Sequence, residues 1–212
     1  MDPLPERVTL TASPGVPEET PRLFVVAKLP WVRRERARLR AVERGEPRAF
    51  LGRESHRAWG RRSLLELRRA EAKPRVKLRG PRTLRLTLRP GAGAAETAAV
   101  VAAWRRGLVR AAAMPIVAEL EPRMGVRVEQ LLVQRMRTRW GSCTRTEERS
   151  GRIRLHTELS AAPPRCLRYL VTHELAHLLV RSHGPAFTAL LDRFQPAWRE
   201  DRGLLSRPSP GA

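Results

Sequence analysis

His173-Glu174-Leu175-Ala176-His177 is followed six residues later by His183, and residues of these types at this spacing could assemble a metal-hydrolase centre. Positions four apart on an α-helix are turned by about 400°, so the two imidazoles sit about 40° apart on one face, one turn above the other. Two ligands of one ion can therefore come from a single helix. Zinc takes neutral imidazole readily, and a catalytic zinc site commonly uses three protein ligands and leaves a fourth position for water. The expected cofactor is one catalytic Zn2+. Glu174, next to the first imidazole, is then placed to take a proton from the metal-bound water during attack on a carbonyl and to return it to the leaving amine. This is the logic of the H-E-x-x-H pattern.

A helix is expected around the pattern. Ala162-Pro163-Pro164 marks its entry, and Cys166, Leu167, Leu170, Val171, Leu175, Leu178 and Leu179 recur at roughly helical spacing. His183 is the leading third ligand, because Ser182, Gly184 and Pro185 let the chain turn back toward the metal. Many zinc proteases with this ligand spacing carry a glycine three residues after the second histidine, where this chain has Val180, so the turn is expected at Arg181 and Ser182. His156, Glu200 and Asp201 are the other candidates for that ligand. Gly184-Pro185 opens a further helix with Phe187, Leu190, Leu191 and Phe194 on its apolar side, and Asp192 on it could accept from a ligand imidazole.

Arg139-Trp140-Gly141-Ser142-Cys143, then Arg152 to Leu159, Pro163-Pro164, the His173 to His177 helix and His183-Gly184-Pro185-Ala186-Phe187 follow one another in order. Together they resemble the YgjP-like metal-dependent hydrolases, relatives of the SprT-like zinc metalloproteases. The specific similarity covers about residues 130 to 200, and a weaker one reaches back through Trp104 and Trp59-Gly60-Arg61 to Phe24. The resemblance implies a zincin-type core on a small α+β fold, with metal ligands His173, His177 and His183 and Glu174 as base.

The chain has 212 residues, 42% of them hydrophobic, enough for one substantial core or two small ones. Its net charge is +21, almost all of the positive charge arginine, since only Lys28, Lys73 and Lys77 are lysines. Residues 1 to 109 hold 25 basic and 11 acidic residues, so the front half carries the stronger field. Such a field favours polyanions, including nucleic acid and phosphate-containing ligands; a solvated basic surface is the plain alternative. Two cysteines, no signal peptide and no apolar run near eighteen residues lead us to expect a cytoplasmic protein without a membrane partner. Cys143 follows the Trp-Gly-Ser run and is a candidate thiol near the site; a packed turn residue is its simpler role.

The remaining elements must position these groups. Residues 1–22 and 203–212 are expected as flexible tails, 23–90 as a basic helix and small antiparallel sheet, and 91–202 as the metallohydrolase core. The basic helix is placed at Trp31 to Val42. Phe50-Leu51-Gly52 and Trp59-Gly60 read as turns, and the sheet strands centre on Leu65 to Leu67, Val76 to Leu78 and Leu84 to Leu88. Ala94 to about Met124 reads as helical, interrupted or restarted at Pro115. Leu131 to Trp140 alternates as a strand, with Arg152 to Thr157 as its expected hairpin partner. That pairing would put Arg135, Arg137, Arg139 and Arg154 on a basic face for substrate or anion binding, with Arg137 and Arg139 as candidate oxyanion stabilisers. The only tyrosine, Tyr169, lies one turn before His173. The fold class expected is α+β.

Three functions fit. The first is a zinc-dependent peptidase acting on a peptide or protein that adds to an exposed strand edge. The second is a metal-dependent phosphohydrolase acting on nucleotides or other phosphorylated small molecules. The third is a DNA-associated protease drawn to its target by the basic front half.

Overall fold

The computed structural model describes residues 10, 12, 13, 15–43, 55–80, 82–136 and 138–206. Contacts divide the chain into a unit ending at Pro47 and a unit spanning Arg48–Arg207. The first contains helix α1, Glu19–Glu43, with Glu19 in its first turn and Pro30 inside it. The helix expected at Trp31 to Val42 therefore starts earlier, within the expected tail, where a glutamate faces the positive helix end. The turn read at Phe50-Leu51-Gly52 lies outside the described residues.

The second unit is built on two small sheets and four helices. Strands β1 (Ser55–Ala58), β2 (Arg61–Arg69), β3 (Arg75–Arg79) and β4 (Thr83–Leu88) form a sheet in the order β1-β2-β4-β3. The sheet was expected to be antiparallel and is mixed: β1 with β2 and β3 with β4 are antiparallel, but β2 and β4 are parallel. The β3–β4 hairpin folds outward, which leaves β4 beside β2. On the inner face Leu65, Val76, Leu84, Leu86 and Leu88 are buried and pack with Val101. β1 was not foreseen. It is joined to β2 by Trp59-Gly60, both at positive φ (51° and 77°), the conformation of a tight hairpin turn that matches strand twist. The Trp59 and Gly60 amides donate to the carbonyls of Ser160 and Ala161 (2.8 and 3.1 Å), so this turn holds the residues that lead into the metal-motif helix.

Helix α2, Ala94–Met124, is continuous over 31 residues. The interruption expected at Pro115 does not occur, because Pro115 and Pro122 both lie on the exposed side, where water can serve the carbonyls their rings leave without a donor. The buried stripe runs Val101, Arg105, Val109, Ala113, Val117, Leu120, Met124, close to one residue per turn. Gly125 ends the helix in the left-handed region (φ 66°).

The second sheet contains β5 (Arg127–Gln134), β6 (Gly141–Glu147) and β7 (Ser150–His156) in the order β5-β7-β6. Here the expected hairpin is corrected. β5 stops at Gln134 and runs parallel to β7, whose hairpin partner is β6. Residues 135, 136 and 138–140 lie outside the ladder at the end of β7, where the His156 amide donates to the Trp140 carbonyl (2.8 Å) and His156 Nε2 lies 2.8 Å from the Met136 carbonyl. The alternation of Arg135 and Arg139 therefore makes no strand face, and Arg137 lies outside the described residues.

A 3-10 turn, Thr157–Ala161, leads to α3 (Pro164–Leu179), then α4 (Pro185–Phe194) and α5 (Trp198–Ser206). α5 begins within the core and includes residues 203–206 of the expected tail, since Leu204 and Leu205 pack on the main core. Among the described residues the fold is thus mixed α and β, with five helices and two small sheets, and no helix is long and apolar enough to cross a membrane.

Candidate metal centre

Helix α3 begins at a proline, where a missing amide costs no intrahelical bond, and buries Cys166, Leu167, Leu170, Val171, Leu175 and Leu178. This fixes the helix face that carries His173 and His177. The helix ends at Leu179. Val180 leaves it in an extended conformation (φ −130°, ψ 122°), which a β-branched residue adopts readily, so no glycine is needed there and the bends fall at 181–184 as expected. His183 returns on this link, and Pro185 starts α4 immediately after it.

The three histidines meet. Their ligand atoms all lie within 4.8 Å of one another, and among the described residues this is the one such group of His, Cys, Asp or Glu side chains. His173 Nε2 and His183 Nε2 are 3.2 Å apart. Two nitrogens bound to one tetrahedral ion at about 2.0–2.1 Å stand about 3.3–3.4 Å apart, so the spacing and the all-imidazole donor set fit a divalent first-row cation. His177 Nδ1 lies 3.2 Å from the Val180 carbonyl, which as acceptor fixes the tautomer and leaves Nε2 for the cation. Burial, reinforced by the neighbouring imidazoles, lowers the His173 pKa to about 3, and burial also lowers that of His177. Phe187 of α4 sits against all three rings, with centroids 4.6–4.9 Å away, and is itself buried. It closes the inner side of the cluster.

Glu174 is 3% exposed, and burial pushes its carboxyl up to about 8 against the opposing pull of Arg139. Its neighbour across the gap is β6. Gly141, Cys143 and Arg145 share the β6 face that looks toward α3, since they pair with Leu155, Ile153 and Gly151 of β7. A Cβ on Gly141 would fall 3.0 Å from Glu174 Cδ and 3.1 Å from Cγ, so any larger residue here would push the carboxylate from its place. The resulting cleft has a volume of about 720 Å³, and Arg139, Trp140 and Ser142 line it together with that β6 face, Glu174 and the three histidines.

The other candidates separate clearly. His156 is engaged at both nitrogens, by Met136 and by the Glu158 amide (2.9 Å). Asp201 holds Gln195 (2.8 Å) and Arg165 (3.2 Å), while Glu200 pairs with Arg165 at 3.4 Å. Asp192 accepts from Trp198 and Arg199 (2.8 and 2.6 Å), and takes no imidazole. Among the arginines, Arg139 reaches the cleft and Arg135 does not. Arg154 points to the opposite face of its sheet, where it donates to Thr144 Oγ1 (3.1 Å). Sequence reasoning missed Arg145 and Arg181, both in the cleft lining, and the demand for glycine at 141. The signal for Arg145 was its two-residue step from Cys143, readable only once β6 is known to be the strand. Cys143 lines the cleft with its thiol pKa raised to about 11, by burial first and Glu174 second, and it lies outside the ligand group. Tyr169 packs edge-on against His173 at 5.7 Å.

A family model described as the YgjP-like metallopeptidase domain matches residues 2–207. The chain belongs to the YgjP-like family. This agrees with the resemblance carried by the Arg139 to Cys143 run and the His173 to His183 segment, and it makes the chain a member of a metallopeptidase-domain family, for which a metal ion and a peptide substrate are the general expectation. No curated protein and no solved structure matches it. The YgjP-like match spans the residues of both sheets and of the histidine helix.

Proposed function

We propose that the chain is a zinc-dependent peptidase with a zincin-type core, in which His173, His177 and His183 hold the ion and Glu174 is the general base. One observation carries this reading: three imidazoles converge beside a buried carboxylate on the wall of an open cleft. A bound zinc ion supplies Lewis acidity toward a carbonyl oxygen and makes a coordinated water more acidic.

The chain's own groups do the rest. Glu174, beside the three imidazoles that would hold the cation, would be favoured in its ionised form there, against the burial that otherwise holds it neutral. The carboxylate then takes the proton of the attacking water and passes it to the leaving amine. Arg139, the cation that already pulls on Glu174, is placed to steady negative charge developing on the substrate oxygen. β6 is an edge strand along the cleft, and its outer edge pairs with no other strand among the described residues. An extended peptide adding to that edge would have its backbone held by β6 and one peptide bond presented to the histidines.

Arg139, Arg145 and Arg181 together favour a second reading, hydrolysis of a nucleotide or other phosphorylated small molecule. Metal content, cleavage of a mixed peptide library and phosphate release from a nucleotide panel, measured for wild type and Glu174→Gln, separate the two. The peptidase reading expects about one zinc in both proteins and a loss of peptide cleavage of about 10²–10⁴-fold or more in the variant. Phosphate release without peptide cleavage replaces it with the second reading, and absence of metal from both proteins removes both.

A further inference from the structure

The outer face of the N-terminal sheet is a second site of a different kind. Side chains alternate across a strand, and with the leucines turned inward the register decides what stands outside. Arg57 of β1 lies opposite Arg62 of β2. In the next row Glu66, Arg85 and Lys77 stand side by side across β2, β4 and β3, and beyond them Arg68 and Arg75 flank Thr87. Arg79 lies opposite Thr83, which is paired in turn with Leu64. Among the described residues, seven cations thus share one face with a single carboxylate, and Glu66 is engaged by Arg85 at 3.0 Å. Like charges opposite one another across a ladder cost stability, so the face gains from an external anion.

We propose that this face binds the backbone of a nucleic-acid duplex. Its cations are arginines except Lys77, and the guanidinium fork suits phosphate oxygens. A protein partner's footprint would ordinarily have an apolar, aromatic centre, whereas the exposed apolar residue in this register is Leu64 alone. Among the described residues the face has no aromatic side chain on which unpaired bases could stack, which favours a duplex over a single strand. From Arg62 to Arg68 the sheet runs about 20 Å, a length along which a duplex carries on the order of twelve phosphates. The inference is independent of the metal reading, because none of these residues lines the cleft.

The test is fluorescence anisotropy of the full chain with a short labelled DNA duplex of mixed sequence, across a salt series. Arg62→Glu with Lys77→Glu is compared with Arg106→Glu and Arg127→Glu, an equal charge change at exposed positions elsewhere. The outer-face pair is expected to weaken binding by about tenfold or more and to flatten the salt slope by about two, while the control pair changes both far less. If the glutamates disturb folding by circular dichroism, Arg62→Gln with Lys77→Gln is expected to give the same loss of slope. Equal weakening by both pairs, or no binding at low salt, overturns the proposal. Tighter binding of poly-glutamate than of the duplex also overturns it and assigns the face to an acidic protein.

Discussion

The inner face of the N-terminal sheet and the inner face of strand β6 are filled in opposite ways. The N-terminal sheet puts Leu65, Leu84, Leu86 and Leu88 against α2, all nearly or fully buried. The inner face of β6 carries Gly141, Cys143 and Arg145, two of them small. A surface that only has to hold the fold is filled with large side chains, because each buried methylene adds stability. A surface beside a reacting group has to leave volume for a carboxylate and a substrate, and it gives up that stabilisation. Small residues in a strand facing a buried titratable group therefore mark where chemistry has displaced packing.

Truncating the packing side should cost stability alone. Leu86→Ala is expected to lower unfolding free energy by about 2–5 kcal/mol while peptide cleavage per folded molecule stays near wild type below the new Tm; a matching loss of activity would break the contrast. Filling the other side should do the reverse. Gly141→Ala puts a methyl against the Glu174 carboxyl and is expected to reduce kcat by about 10²-fold with metal content retained and only a modest Tm change. An active, unaltered Gly141→Ala enzyme would show that Glu174 is not held where the geometry puts it.

How much of this could be read in the chain depends on sequence distance. The helix carrying His173 and His177 was legible because its ligands, apolar stripe and entry prolines lie within one continuous segment, and His183 follows close behind. The strands at Leu65 to Leu67, Val76 to Leu78, Leu84 to Leu88 and Arg152 onward were legible too, but their pairing was not. β5 and β7 pair in parallel across an intervening strand, and the alternation through Arg135 and Arg139 continues past the point where His156 pulls the chain out of the ladder. Arg154 and Arg145 both sit in alternating runs, and only register tells which one faces the cleft. The glycine at 141 is written plainly, but its reason is a carboxylate more than thirty residues away.

Metal removal sharpens the comparison further. With a pKa near 8 in the metal-free fold against 4.5 for an unperturbed carboxyl, Glu174 is held protonated by the fold. Its contribution is complete below pH 4.5 and is lost as pH rises through 8. Below about 6.5 the depressed His173 works the other way, so chelator-treated protein should lose stability as pH rises from about 6.5 to 8, by up to about 1.4 kcal/mol per pH unit, and zinc-loaded protein should not. Equal pH dependence of Tm in the two samples would mean that no cation binds beside Glu174.

The smallest effect belongs to the exposed clamp behind the site. Glu119 of α2 receives both Arg168 terminal nitrogens from α3 (2.7 and 2.6 Å), and that hydrogen bonding holds its carboxyl down at about 2. The contribution is present above 4.5 and fades as pH falls through 2. Glu119→Gln should lower Tm slightly at neutral pH, with the difference from wild type narrowing in acid; a constant difference would assign the effect to packing.

Helix α2 touches β3 at one end and β5, α3 and the 3-10 turn at the other. At about 1.5 Å per residue it is a rod of roughly 46 Å. One residue added near its middle would turn everything beyond by about 100° and take its two ends out of phase. A length change inside α2 would therefore swing one sheet against the other, so in this chain the first sheet serves as ballast for the aim of the second.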